Sequence, residues 1–149
     1  MSRQAIITGD CNMKKYKIGY TTGVFDMFHV GHLNIIEKAK EQCEFLIVGV
    51  STDDVVREYK NKTPVIPYEQ RKRIVEAIRF VDKVVPQTTM DKTAAWDELK
   101  FDVIFHGDDW KGSGYYNECE EKLKEKGVEV VYIPHTPGIS STEIVERIK

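Results

Sequence analysis

Two imidazoles stand three residues apart in His29-Val30-Gly31-His32, where an extended stretch gives way to helical periodicity. Residues i and i+3 at the start of a helix face the same way. The helix end adds free backbone N–H groups and positive dipole character, which together suit a phosphate. Gly31 is expected to let the backbone come close to a ligand. Imidazoles so placed can donate hydrogen bonds to a developing negative charge. Taken alone, His-x-x-His describes surface histidines or a metal pair just as well, so its flanks must decide.

A second polar cluster lies near the C-terminus, in Gly138-Ile139-Ser140-Ser141-Thr142. Gly138 permits a tight turn. The hydroxyls and backbone N–H groups of Ser140, Ser141 and Thr142 open the last predicted helix and can hold phosphate oxygens. Ser140 to Glu143 is also an ordinary capping box, and a capped helix can still bind phosphate.

The elements that must position these residues alternate. Strands are expected over Tyr16–Thr21, Phe45–Val50, Lys83–Val85, Val103–Phe105 and Val128–Ile133. Helices are expected over His32–Gln42, Tyr68–Phe80, Thr93–Leu99, Tyr115–Lys126 and Ser141–Ile148. Leu33, Ile36, Ala39 and Cys43 share one face of the first helix, and Ile74, Ala77 and Ile78 point inward from the second. The continuous run FLIVGV fits a parallel strand buried on both faces. The order argues for an α/β fold: one open, mostly parallel, Rossmann-like sheet in a three-layer α/β/α arrangement. Ligands bind such sheets beyond the carboxyl ends of the strands. Asp26, His29, Ser51, Thr52, Asp53, Gly107, Asp108, Asp109 and Ser140 all follow predicted strands and should gather at that edge. Asn61–Pro67 is the one long loop.

Gly23-Val24-Phe25-Asp26-Met27-Phe28-His29-Val30-Gly31-His32 resembles the first motif of the HxGH nucleotidyltransferases. His135-Thr136-Pro137-Gly138-Ile139-Ser140-Ser141-Thr142 resembles the second motif of their cytidylyltransferase branch, RTEGISTT. Both motifs in order, about a hundred residues apart, are far more specific than either alone. The similarity runs over nearly all of 14–149 and is greatest to the glycerol-3-phosphate cytidylyltransferases, with the choline- and ethanolamine-phosphate enzymes as cousins.

The resemblance implies a nucleotidyltransferase fold and a reaction in which a substrate phosphate oxygen attacks the α-phosphate of CTP in line and pyrophosphate leaves. The product is a CDP-alcohol, and no covalent enzyme intermediate is implied. Catalysis then rests on positioning and charge stabilisation. The resemblance gives catalytic roles to His29, His32, Lys60 and Arg79. It gives nucleotide binding to Gly23, Val24, Phe25, Asp26, His29 and His32, to Gly107, Asp108, Asp109 and Trp110, and to His135, Gly138, Ile139, Ser140, Ser141 and Thr142. Lys60 and Lys62 can reach one phosphate, and Arg79 can grip one with parallel bonds, so all three are expected at the substrate. Asp108 and Asp109 can accept from the cytosine amino group or ribose hydroxyls, or help hold magnesium, and Trp110 can wall the base. Asp26 can orient a histidine or contact a metal-bound water. Arg71, in a Tyr68-Glu69-Gln70-Arg71-Lys72 segment that matches the family's YExRK, reads as structural. Mg2+ is expected with CTP, held mainly through the nucleotide phosphates and not by a protein metal site. A homodimer is expected from the resemblance only.

Bulk properties fit this reading. The chain has 149 residues, 41% hydrophobic and 31% charged, with a formal net charge of -2. That length suits a single domain over 13–149, with residues 1–12 as an extension, either native, mis-assigned upstream of Met13 or a tag remnant. The near-neutral charge gives no case for bulk nucleic acid or an anionic membrane. No apolar run approaches the roughly 20 residues of a membrane helix. Cys11, Cys43 and Cys119 form no Cys-x-x-Cys, which favours a reducing cytoplasm over a disulfide framework.

Two alternatives stay open: a related enzyme with another pair, such as ATP with a sugar phosphate or flavin mononucleotide, and a non-catalytic nucleotide-binding relative. His135 stands where the family usually has arginine, and Pro137 where it has an acid; these departures leave the substrate less defined than the reaction type. Arginine is always charged and forks its donors, whereas histidine is smaller and often neutral. His135→Arg is therefore expected to lower the KM for CTP. An unchanged KM would mean that this loop has been repurposed.

Overall fold

In the computed structural model the described residues are 14–107, 114–134, 136–139 and 141–148, without the side chains of 114–117 and 141–143. Five strands, β1 (Tyr16–Gly23), β2 (Cys43–Ser51), β3 (Lys83–Gln87), β4 (Val103–Gly107) and β5 (Glu129–Ile133), form one parallel sheet in the order β3-β2-β1-β4-β5. Six helices connect or follow them: α1 (Val30–Gln42), α2 (Asp53–Lys60), α3 (Tyr68–Glu76), α4 (Lys92–Leu99), α5 (Gly114–Glu125) and α6 (Ser141–Ile148). The chain winds outward from β1 to β3 and then returns to β4, so the strand order reverses between β1 and β4.

Right-handed crossovers then put α1 and α3 on one face and α4 and α5 on the other. The packing follows. Ile36 and Ala39 of α1 and Val75 of α3 bury against Leu46, Val48, Val50, Val103 and Phe105. On the opposite face Tyr20, Ile47 and Ile104 meet Phe101, Leu123 and the partly buried Ala95, Trp96 and Leu99. The expected three layers are present, and alternate residues of β2, β3, β4 and β5 supply the two cores.

Several elements differ from the sequence reading. Cys43 does not extend the first helix; it opens β2 and is buried. Phe45, expected inside, is 41% exposed at the strand's start, whereas Leu46 to Val50 are buried. Helix α2 was not expected. Thr52 caps it by accepting from the Val55 N–H, Asp53 and Asp54 fill its first turn, and Asn61 ends it in the left-handed region. These are ordinary start and stop signals packed into eight residues. Helix α3 stops at Glu76 and does not reach Phe80. Ile74 and Ala77 point to solvent, and Val75 and Arg71 turn inward in their place.

Arg71 is the largest fully buried side chain, at 1% exposure. Its Nε donates to the Ile66 carbonyl at 2.7 Å. One terminal nitrogen donates to the Val24 and Ser51 carbonyls at 2.8 and 2.7 Å. The other meets the Asp53 carboxylate at 2.6 Å. The guanidinium thus ties together the chain just past β1, the last residue of β2, the first turn of α2 and the loop before α3. Removing one partner of a buried charge pair leaves the other groups desolvated and unmatched. Arg71→Ala is expected to lower the unfolding free energy by about 3–5 kcal/mol in urea titration. A loss below about 1 kcal/mol would deny Arg71 this organising role.

Candidate functional site

The chain between β1 and α1 is tightly bent. Phe25 and Met27 have φ of 56° and 50°, left-handed values that non-glycine residues seldom adopt. Between them both carboxylate oxygens of Asp26 accept backbone N–H groups, from Ile66 and Val65, each at 2.8 Å. Asp26 therefore pins the long loop to the head of α1, whatever else it touches.

His29 is the N-cap of α1 and its Nδ1 accepts from the Gly31 N–H at 3.1 Å. The His29 N–H donates in turn to Nδ1 of His32 at 3.2 Å. This is a capping box made from two histidines, in place of the usual hydroxyl and carboxylate. The rings stack with centroids 3.9 Å apart. Since each Nδ1 accepts, each neutral ring carries its proton on Nε2. Phe25 and Phe28 flank the His32 ring at 5.5 and 5.2 Å. Burial, then His29 and Lys60, push the pKa of His32 down to about 3, and burial lowers that of His29. Both rings are thus neutral donors near neutral pH.

Gly31 is also required by the protein's own packing. A Cβ there would come within 2.8 Å of the His29 ring and 3.5 Å of Ile139 Cγ2. The glycine makes room for the protein's own imidazole. Gly138, with φ of 79°, forms the turn that brings Ile139 in. Asn34 Nδ2 donates to Thr136 Oγ1 at 2.9 Å and so bonds α1 to the C-terminal motif.

The histidines open onto a cavity of about 660 Å³ at the carboxyl edge of the sheet, a size typical of small-molecule sites. Gly23, Val24, Phe25, Asp26, His29 and His32 line one wall. Gly107, Thr136 and Ile139 line it at the β4 side. Lys60 and Lys62 line it from the end of α2 and the loop beyond. Ser51, Gln87, Met90 and Lys92, of which Gln87, Met90 and Lys92 were not foreseen, complete the floor. Lys92 had one legible signal, a cation in the first turn of a helix, where the dipole disfavours it.

Arg79 is not brought into this wall; it lies exposed beyond α3 with its guanidinium 5.0 Å from the Phe80 ring centre. Gly138 is exposed at its turn. Asp108, Asp109, Trp110, His135 and Ser140 lie outside the described residues, as do the side chains of Ser141 and Thr142. Among the described residues no group of three or more His, Cys, Asp or Glu could hold a metal, and no helix is long and apolar enough to cross a membrane.

A parallel sheet with a cavity at its reversal point and the N-terminus of a helix opening onto it has the architecture of a nucleotide-binding α/β protein. A cytidylyltransferase-like family model matches residues 20–147. The glycerol-3-phosphate cytidylyltransferase of Bacillus subtilis (strain 168) is 40% identical over 135 residues, 86% of this chain and 94% of that one. The ethanolamine-phosphate cytidylyltransferase of Dictyostelium discoideum is 38% identical over 136 residues, 89% of this chain but 38% of the longer relative. Among solved structures, the lipopolysaccharide core biosynthesis protein of Thermoplasma volcanium GSS1 superposes with a TM-score of 0.68 at 26% identity, covering 81% of this chain and 97% of that one. The chain belongs to the cytidylyltransferase-like family.

The buried imidazoles also set an acid limit. His106, on β4, is 5% exposed, and burial with the neighbouring Lys92 pushes its pKa to about 4. In the unfolded chain a histidine titrates near 6.5. Below that value the unfolded state binds more protons than the folded one, so stability falls with pH. Stability is expected to be complete above pH about 6.5 and to decline toward pH about 4. The melting temperature of His106→Leu should fall less than that of the parent protein over this window; an equal fall would remove His106 from the account.

Proposed function

We propose that this chain transfers CMP from CTP to a small phosphorylated alcohol of the glycerol 3-phosphate kind, releasing pyrophosphate and forming a CDP-alcohol. The observation that carries the reading is the paired, neutral His29 and His32, held by their own helix cap with both Nε2 protons left for a ligand in the cavity. An acceptor phosphate is already ionised, so it needs no general base. Its oxygen bonds to the α-phosphorus as the bond to the bridging oxygen breaks, and the electron pair leaves with pyrophosphate. Charge builds on the equatorial and leaving oxygens, where fixed donors stabilise it most. His29 and His32 fill that role in this reading. Lys60 and Lys62 supply positive charge to the reacting phosphates from the loop side. The N-terminus of α6, with Ser140, Ser141 and Thr142, receives the β- and γ-phosphates. The names of the Bacillus and Dictyostelium relatives support both CTP and a phosphoalcohol acceptor.

Magnesium belongs to the proposal as a companion of the triphosphate. In this reading the oxygens of the triphosphate hold it; among the described residues no group of three or more His, Cys, Asp or Glu is placed to do so. No step is assigned to the ion. A cytoplasmic homodimer is the further expectation, supported by the family likeness and by the buried free thiols of Cys43 and Cys119.

Pyrophosphate release should be measured with each NTP, magnesium and a panel of phosphate esters. CTP with a phosphoalcohol is expected to give turnover, and His32→Ala to lower it by at least about 10²-fold without loss of fold by circular dichroism. Near-normal turnover in that variant would overturn the assignment of the histidines.

A further inference from the structure

The chain between β5 and α6 lies beyond the sheet, so strand pairing does not hold it. Among the described residues, the turn Thr136–Ile139 has one hydrogen bond to the rest of the fold. It comes from a side chain: Asn34 Nδ2 donates to Thr136 Oγ1 at 2.9 Å, across 102 positions of sequence. Gly31 and Asn34 stand three apart on α1 and so face the same way. A Cβ on Gly31 would lie 3.5 Å from Ile139 Cγ2. One face of α1 therefore meets both ends of the turn, with Asn34 at Thr136 and Gly31 at Ile139. Asparagine is a weak helix former, because its short amide competes for nearby backbone groups. Here the amide leaves its own helix and reaches the loop.

The polarity of that bond has a consequence for the cavity. A hydroxyl has one proton to give and lone pairs that accept. Since the amide donates to Thr136 Oγ1, the hydroxyl proton is left for another acceptor. Accepting a bond also polarises the O–H and makes it a stronger donor. Thr136 and Ile139 line the cavity, whereas Asn34 stands outside its lining. The same turn leads within two residues into α6, which begins at Ser141. In the reading above, the N-terminus of α6 receives the β- and γ-phosphates.

We propose that Asn34 is a positioning residue for the outer phosphates of the nucleotide. It holds the Thr136 turn on α1 and directs the hydroxyl proton of Thr136 to a β- or γ-phosphate oxygen. Neither residue forms or breaks a covalent bond. The inference rests on the cytidylyl-transfer reading for the nature of the ligand.

The test titrates the full chain calorimetrically with CTP and, separately, with CMP, which lacks the outer phosphates. Pyrophosphate release is followed alongside. Asn34→Leu keeps the size of the side chain and removes its amide. It should raise the Kd for CTP about tenfold, the loss expected for one hydrogen bond to a charged group. The Kd for CMP should stay within about twofold. Thr136→Val should behave alike, and Thr136→Ser, which restores the hydroxyl, should bind CTP within about threefold of the parent. The double variant Asn34→Leu with Thr136→Val should be no weaker than either single one, because both act through one bond. Asn34→Asp can only accept, so it captures the hydroxyl proton and should weaken CTP more than Asn34→Leu does. A residue that only stabilises the fold would weaken CTP and CMP alike. Equal losses therefore overturn the proposal, as do unchanged CTP binding in Asn34→Leu or losses that multiply in the double variant. If Asn34→Leu does not fold, Thr136→Val and Asn34→Asp decide by the same criteria. Parent binding of CTP no tighter than that of CMP removes the outer phosphates from this wall and overturns the proposal too. CTP binding without pyrophosphate from any acceptor would refute cytidylyl transfer; the comparison of CTP with CMP would still decide the role of Asn34.

Discussion

The buried guanidinium of Arg71 is the interaction on which the edge of this molecule depends. A charged group at 1% exposure is tolerable only if its donors are matched, and three carbonyls and one carboxylate match them. Those partners come from three stretches of chain, at Val24, at Ser51 and Asp53, and at Ile66. Without it the ends of β1 and β2, the start of α2 and the loop before α3 would each have to order alone. Asp26 completes the arrangement by holding the same loop through two backbone N–H groups. The bend carrying Phe25 and Met27 at positive φ is thus held from both sides.

The sheet does little chemistry itself but dictates where chemistry can occur. Its cores are apolar on both faces up to the last residues of the strands, where Ser51, Gln87 and His106 interrupt them. Above that level the two sequence motifs meet. Asn34 bonds Thr136, and Ile139 packs toward the space left by Gly31. Residues more than a hundred positions apart in the chain therefore share one wall.

Much of this was legible from residue order. Alternating apolar runs gave a parallel α/β sheet, and the Gly23–His32 stretch gave a polar site at a helix start. What escaped depended on three-dimensional competition. Ile74 and Ala77 fit a helical stripe, yet Val75 and Arg71 took the inward positions because the guanidinium had carbonyls to satisfy. Helix α2 was hidden by its brevity, since eight residues carry too little periodicity to stand out from a polar loop. Lys92 carried only the weak signal of a cation in a first helical turn, and its burial follows from how α4 packs on the sheet face of Tyr20, Ile47 and Ile104, which no local pattern encodes. At Gly31 the structure adds a close approach that the sequence did not foretell, that of the neighbouring imidazole.

The histidine capping box couples ring charge to the secondary structure of α1. A neutral ring whose Nδ1 accepts a backbone bond has one place left for a second proton, and that place is the accepting nitrogen. Imidazolium at either position would therefore forfeit a bond that holds the first turn. The helix selects the uncharged tautomer, and whatever anion binds there is met by dipoles fixed in advance, not by a cation recruited on arrival. Fraying of that turn and titration of those rings become one event.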